Sequence, residues 1–157
     1  MISADKRFEF NRMNERSHRL SLGSILDRTP NVVRGRLDIA VQGGAVGSLN
    51  LLEDLNDTLS LIKIPDNAII TKVTVDILTA MASAGNLGTI ALTSEGSGDL
   101  LAAVDADTLS GLVAGIPVGT AATMIKMTAE RTLLAEVAVE ALTAGKIDVI
   151  VEFMLGN

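Results

Sequence analysis

The chain has no cysteine, no tryptophan and no tyrosine, and only one histidine and three phenylalanines in 157 residues. Each absence removes a class of chemistry. Without Cys there is no disulfide framework, no thiolate nucleophile and no Cys-based zinc site. The single His18 cannot build a His-rich metal site. A catalytic imidazole also needs an orienting partner and a pocket, whereas His18 lies among arginines in "NERSHRL", where a surface or interface histidine fits. Fifteen acids downstream of Arg36 offer many carboxylate pairs of the kind glycoside hydrolysis uses. The aromatic platforms on which sugars stack, Trp and Tyr, are missing, and the reading is not an enzyme. No apolar run reaches the ~18–20 residues of a membrane span. The opening "MISADKRFEFNRMNERSHRL" is charged throughout, unlike the apolar core of a signal peptide. The expectation is a protein made in a cytoplasm without an export signal of its own, and without a membrane partner.

What is present is aliphatic. Hydrophobic residues make up 48% of the chain and aromatics 2%, with a mean hydropathy of +0.40. The length suits one well-buried domain. Its core must be built from Val, Ile, Leu, Met and Ala. Small aliphatic side chains bury less area each, so burial between subunits helps such a chain. An oligomer of this chain, a trimer first, is the expectation.

The net charge of −6 conceals a division. Met1 to Arg36 holds eight bases against four acids, net +4; from Leu37 onward five bases face fifteen acids, net −10. Residues 1–36 read as a basic N-terminal arm and 37–157 as the body. In the arm Arg12, Arg16 and Arg19 are spaced to share one face of a short helix. Pro30 and Gly35 in "RTPNVVRGR" close the segment. The arm's Lys6, Arg7, Phe8, Phe10, Arg12, Arg16 and Arg19 are the candidate partner-binding residues, because Arg and aromatics anchor interfaces. Nucleic acid is the weaker partner: Asp5, Glu9 and Glu15 dilute the field, and stacking residues are few. An acidic protein surface, such as the body of a neighbouring copy, fits better.

From Arg36 onward the texture is that of strands. "RLDIAVQ" alternates Leu37, Ile39 and Val41 with polar or small residues. "SLNLLEDLND" is ambiguous, with Ser48 able to cap a short helix carrying Leu49, Leu52 and Leu55. "TLSLIKI" is a strand ending at Pro65. In "PDNAIITKVTVDILTA" a turn opens a strand with Ile69, Val73, Val75 and Ile77 on one face. "LGTIALT", "AATMIKMTA", "TLLAEVAVEAL" and "KIDVIVEFML" follow as strands. The third of these has helix-forming Ala, Leu and Glu, but its alternation and β-branched residues favour a strand. Seven or eight short strands with short turns predict an all-β antiparallel sandwich or jelly roll.

"ALTSEGSGDLLAAVDADT" gathers Glu95, Asp99, Asp105 and Asp107 around Gly96 and Gly98. It has no Lys for a phosphate loop, and the order around Ser97 is not a nucleophile elbow. "DADTLSG" lacks the ligand spacing and terminal Glu of an EF-hand. The expectation is a hairpin turn with solvated acids beside an edge strand, with no metal and no cofactor.

Three stretches together, "IPDNAIITKVTVDILTA", "LGTIALTSEGSGDLLAAVDADT" and "TAGKIDVIVEFM", resemble a family of small structural proteins of tailed-phage virions. The resemblance spans Leu61 to Phe153 and includes no catalytic residue. It implies a jelly-roll domain serving as a capsid decoration (cement) protein on the virion surface, oligomeric and bound to the major capsid protein or another virion protein. A neck, tail or baseplate location, and a receptor- or carbohydrate-binding jelly roll, stand as alternatives.

Overall fold

The computed structural model describes residues 30–53 and 61–156. Two antiparallel sheets face each other. The first is ordered β1 (Asn31–Asp38), β11 (Leu142–Met154), β4 (Ile69–Ser83) and β7 (Gly111–Val118), with the short β8 (Ile125–Lys126) also paired to β4. The second is ordered β2 (Gly47–Asn50), β10 (Leu134–Ala138), β5 (Thr89–Thr93) and β6 (Leu101–Asp105). A two-residue pair, β3 (Lys63–Ile64) with β9 (Arg131–Thr132), bridges the side. Counting only the strands of the two main paths, one sheet holds the first, last, third and sixth, and the other the second, seventh, fourth and fifth. That order is a jelly roll of two interlocked Greek keys.

The register explains why an aliphatic sequence suffices. Val33, Val151 and Val73 form one inward row across the first sheet, and Gly35, Val149, Val75 and Val113 form the next. They meet Ile90, Leu92, Ala135 and Val137 of the second sheet, all at most 2% exposed. Period-two alternation puts the polar residues Lys72, Thr74 and Asp76 on the outer face. Each fully buried Val, Leu or Ile contributes roughly 1.5–3 kcal/mol. Among the described residues Phe153 is the one aromatic ring in this core, and elsewhere the sheets close in on glycine. A Cβ on Gly115 would lie 2.5 Å from the Leu100 carbonyl oxygen and 2.7 Å from Val73 Cβ, and one on Gly35 would lie 2.9 Å from Leu51 Cβ.

Several expectations are corrected. "NVVRGRLD" does not close an arm but is β1, an edge strand paired with β11 from Asn31 to Asp38. Gly35 is there for close approach, not for a turn. The strand expected through Val41 stops at Asp38, whose carboxylate accepts from Ala40 N at 3.0 Å and caps one helical turn, α1 (Ile39–Gln42). Val41 is therefore 55% exposed. Ser48 lies in β2 and caps no helix. In β4 a register shift between the Lys72 and Ile70 pairings turns Ile70 inward and leaves Ile69 half-buried. "AATMIKMTA" supplies only the two residues of β8, followed by the fully buried Met127. Two further strands, β6 and β7, have no alternating signature in the segments expected as strands, and "GLVAGIPV" of β7 is apolar on both faces.

Candidate functional site

The acidic loop between β5 and β6 has a complete internal account. Asp99 accepts from Ser94 N (2.7 Å), Ser94 Oγ (2.9 Å), Glu95 N (2.8 Å) and Gly96 N (2.9 Å). Its carboxylate is the hub on which the turn is wound. Gly98, at φ 67°, donates its N–H to Thr93 Oγ1 at 3.0 Å. Asp105 caps the 3-10 turn Ala106–Thr108 by accepting from Asp107 N at 3.1 Å. Asp107 reaches across to the end of β4, accepting from Ser83 N (3.2 Å) and Ser83 Oγ (3.1 Å). These acids are not solvated flanks of a turn, as the sequence suggested, but its fastenings. Glu95 takes a two-point contact from Arg131, at 2.8 and 3.2 Å, and a hydrogen bond from the Thr128 hydroxyl. The Arg131 guanidinium, then Thr128, hold its carboxyl down at about 2. Among the described residues, no group of three or more His, Asp or Glu is placed to hold a metal ion.

A second charge cluster lies on the outer face of the first sheet. Asp148 of β11 is 0% exposed. It accepts from Arg36 Nε at 3.0 Å and from an Arg34 guanidinium nitrogen. One step along the same strands, Lys146 Nζ lies 3.0 Å from Asp38, whose carboxyl its hydrogen bond holds below the usual range. Arg34 and Arg36 were grouped with the arm by charge; here they clamp β1 onto the sheet. The pairing leaves no local signal in the sequence, because the shared partner is more than a hundred residues away.

Two apolar surfaces remain exposed. On the outer face of the first sheet, Leu112 (73%), Ile116 (41%) and Val118 (50%) line β7 with Ala114 between them, and Leu78 (47%) of β4 lies alongside. At one end of the sandwich, Val46, Leu87 and Val139 project from three loops. Val139 holds φ 67° while its side chain stays 72% exposed. The Glu140 carboxylate ties the loops together, accepting from Gly85 N at 2.9 and 2.8 Å and from Leu87 N at 3.3 Å. Those backbone donors lower the Glu140 pKa. The arm residues Lys6, Arg7, Phe8, Phe10, Arg12, Arg16 and Arg19, and His18, lie outside the described residues.

Among the described residues the chain is thus a jelly-roll sandwich, and the polar clusters set out above fasten its own strands and loops. No family model matches the chain, and no curated protein matches it. Solved structures do. The chain is similar to one in the acidic stable capsid structure of Helicobacter pylori bacteriophage KHP30, with a TM-score of 0.58 and 13% identity over 83% of this chain and 91% of that one. A chain in the capsid of Ralstonia phage GP4 matches at TM-score 0.52 and 19% identity, over 83% of this chain and 88% of that one. A chain in the capsid asymmetric unit of cyanophage Pam1 matches at 0.53 and 17%, over 82% and 87%. At these identities the likeness is one of fold.

Proposed function

We propose that this chain is a structural protein of a tailed-phage virion, a decoration (cement) protein on the capsid surface rather than an enzyme. The observation that carries the reading is the shared sandwich: three phage capsid structures contain a chain matching more than four-fifths of this one. Fold alone does not assign function. The acids of the loop add support, since Asp99 winds its own turn, Asp107 fastens the end of β4 and Glu95 pairs with Arg131.

In this reading the body assembles with copies of itself as a trimer, and the basic segment reaches a neighbouring acidic surface on another copy or on the major capsid protein. Lys6, Arg7, Arg12, Arg16 and Arg19 supply charge, and Phe8 and Phe10 supply apolar anchors. No single contact has to be tight. Many copies on a closed lattice gain avidity from linked weak contacts.

The test is attachment to phage shells lacking the protein. Because β1 begins at Asn31, the truncation that leaves the body whole removes residues 1–29. The truncated protein is expected to keep its circular dichroism and melting temperature while losing most attachment. Full-length attachment is expected to weaken between low and high salt, since exposed ion pairs are screened within ~8–10 Å. Attachment unchanged by truncation and by salt would remove the arm from the account. Failure of the full-length protein to attach at all would remove the decoration role.

A further inference from the structure

Residues 1–29 are not uniform in chemistry. Five bases and three acids lie between Asp5 and Arg19, whereas "LSLGSIL", Leu20 to Leu26, holds four large aliphatics and no charge. The charged stretch is the one that a neighbouring acidic surface would attract. The aliphatic stretch gains only from burial, and it ends four residues before Pro30, where the described body begins.

A smaller group of exposed aliphatics lies at that point of entry, apart from the two apolar surfaces described above. On the outer face of the first sheet, Val32 of β1 stands opposite Glu152 and therefore diagonal to Met154, two residues further along β11. Met154 is paired in turn with the half-buried Ile69. Val32 is 62% exposed, Met154 37% and the following Leu155 44%. The Lys72–Glu152 pair and the exposed Lys126 border the group.

We infer that Leu20–Leu26 of the same chain folds back onto Val32, Met154 and Leu155 and anchors the arm at its root. The consequence rests on the decoration reading: the free basic reach then begins at Arg19, and residues 1–19 span at most ~65 Å from the anchor.

Length, charge and position select this occupant. Leu26 is tied within about 14 Å of Pro30 by the four residues between them, and Asp27 and Pro30 are turn-forming residues that let the chain double back. Laying the charged stretch on aliphatics would desolvate its ions instead. The β7 column lies three strand spacings from β1, about 14 Å away, so the tether gives the nearer group the higher effective concentration. A tethered contact also does without the ~800 Å² per partner that a standard interface between separate molecules buries.

The experiment is limited trypsin digestion of the full-length protein, read by intact mass. Trypsin can cut after Arg19, leaving a fragment from Leu20, and after Arg28, leaving one from Thr29. The wild type is expected to accumulate the Leu20 fragment. Met154→Asp/Leu155→Asp is expected to raise the rate of cutting after Arg28 roughly tenfold, because cleavage follows the population of the undocked segment. Both positions are exposed, so the body should stay folded. An Arg28 rate equal to wild type in the folded variant overturns the inference. So does a rise confined to Leu112→Asp/Ile116→Asp, which would seat the segment on β7. Should the first variant fail to fold, Leu22→Ser/Leu26→Ser, which alters no described residue, is held to the same standard. Dilution of the wild type separates one chain from two. An Arg28 rate that does not change keeps the contact within the chain, and a rate that climbs assigns the group to a neighbour's segment and overturns it. Attachment to shells is measured separately. A protein anchored in this way that never attaches overturns the decoration reading alone, and one that attaches without the anchor overturns the anchor alone.

Discussion

Arg36 and Asp148 are cross-strand partners in the β1–β11 register, joined Nε to Oδ1 at 3.0 Å, and Asp148 is entirely shielded from solvent beneath Arg36 and Arg34. Removing one side of a buried ion pair is costly because the other charge is left without a partner. Here Arg34 and Arg36 are 52% and 36% exposed, and water recovers part of that loss. Asp148→Ala is expected to destabilise the fold by about 1–3 kcal/mol, read as a lower urea midpoint with an unchanged slope. An unchanged midpoint would mean that the pair contributes nothing net.

Gly115 has no room for a methyl group. A Cβ there would meet both the Leu100 carbonyl and Val73, and the Ile116–Leu100 hydrogen bond would have to lengthen. Gly115→Ala is expected to cost about 1–3 kcal/mol, the range for overpacking a dense interior. Thermal unfolding checks it, and a melting temperature equal to wild type would show that the two sheets slide apart at little cost.

Val139 is the converse case. A β-branched residue at φ 67° is strained, and its exposed side chain recovers nothing within the monomer. Val139→Asn is expected to raise stability by about 1 kcal/mol, since the left-handed region disfavours most L-residues by roughly 1–2 kcal/mol and Asn least among those with a side chain. A lower melting temperature would show that Val139 packs better than its exposure implies.

Acid should loosen the loop fastenings in a defined window. Glu95 in the folded protein titrates at about 2, against an ordinary 4.5. A depressed folded pKa contributes stability that is fully present above pH 4.5 and is lost as pH falls toward 2, because the unfolded chain takes up the proton first. Asp38 and Glu140, lowered by Lys146 and by the Gly85 backbone N–H, act in the same direction. Carboxyl NMR should place the Glu95 midpoint near 2. Glu95→Gln should flatten the fall of stability between pH 4.5 and 2, and a slope identical to wild type would contradict the assignment.

The long strands were legible in the sequence because their two faces differ. In β4 and β11, Val73, Val75, Val149 and Val151 alternate with Thr74, Asp76, Asp148 and Ile150. β7 was not legible, since its outward residues are as apolar as its inward ones and only the sheet order shows which side faces solvent. β1 was hidden by Gly35, which looks like a breaker until Leu51 is placed against it. The acidic loop was correctly located as a turn, but the role of Asp107 required Ser83, brought beside it by the fold. The arm's charge was plain in the sequence, whereas the partnership of Arg34 and Arg36 with Asp148 depends on a strand pairing that local periodicity does not encode.

The β1–β11 seam also has a mechanical meaning. β1 is the strand through which residues 1–29 are joined to the body, and apart from the backbone pair that Arg36 makes with Leu52 it is hydrogen-bonded only to β11. A tether peeling away from the sheet would open the pairs one at a time from Asn31. The first pairs, from Asn31 to Val33, would yield first, and the tear would stop where Arg34 and Arg36 grip Asp148, with the Asp38–Lys146 pair behind them. A tether pulled along the strand axis would load all eight register pairs together. The same seam is therefore compliant when peeled from Asn31 and stiff when pulled along the strand axis.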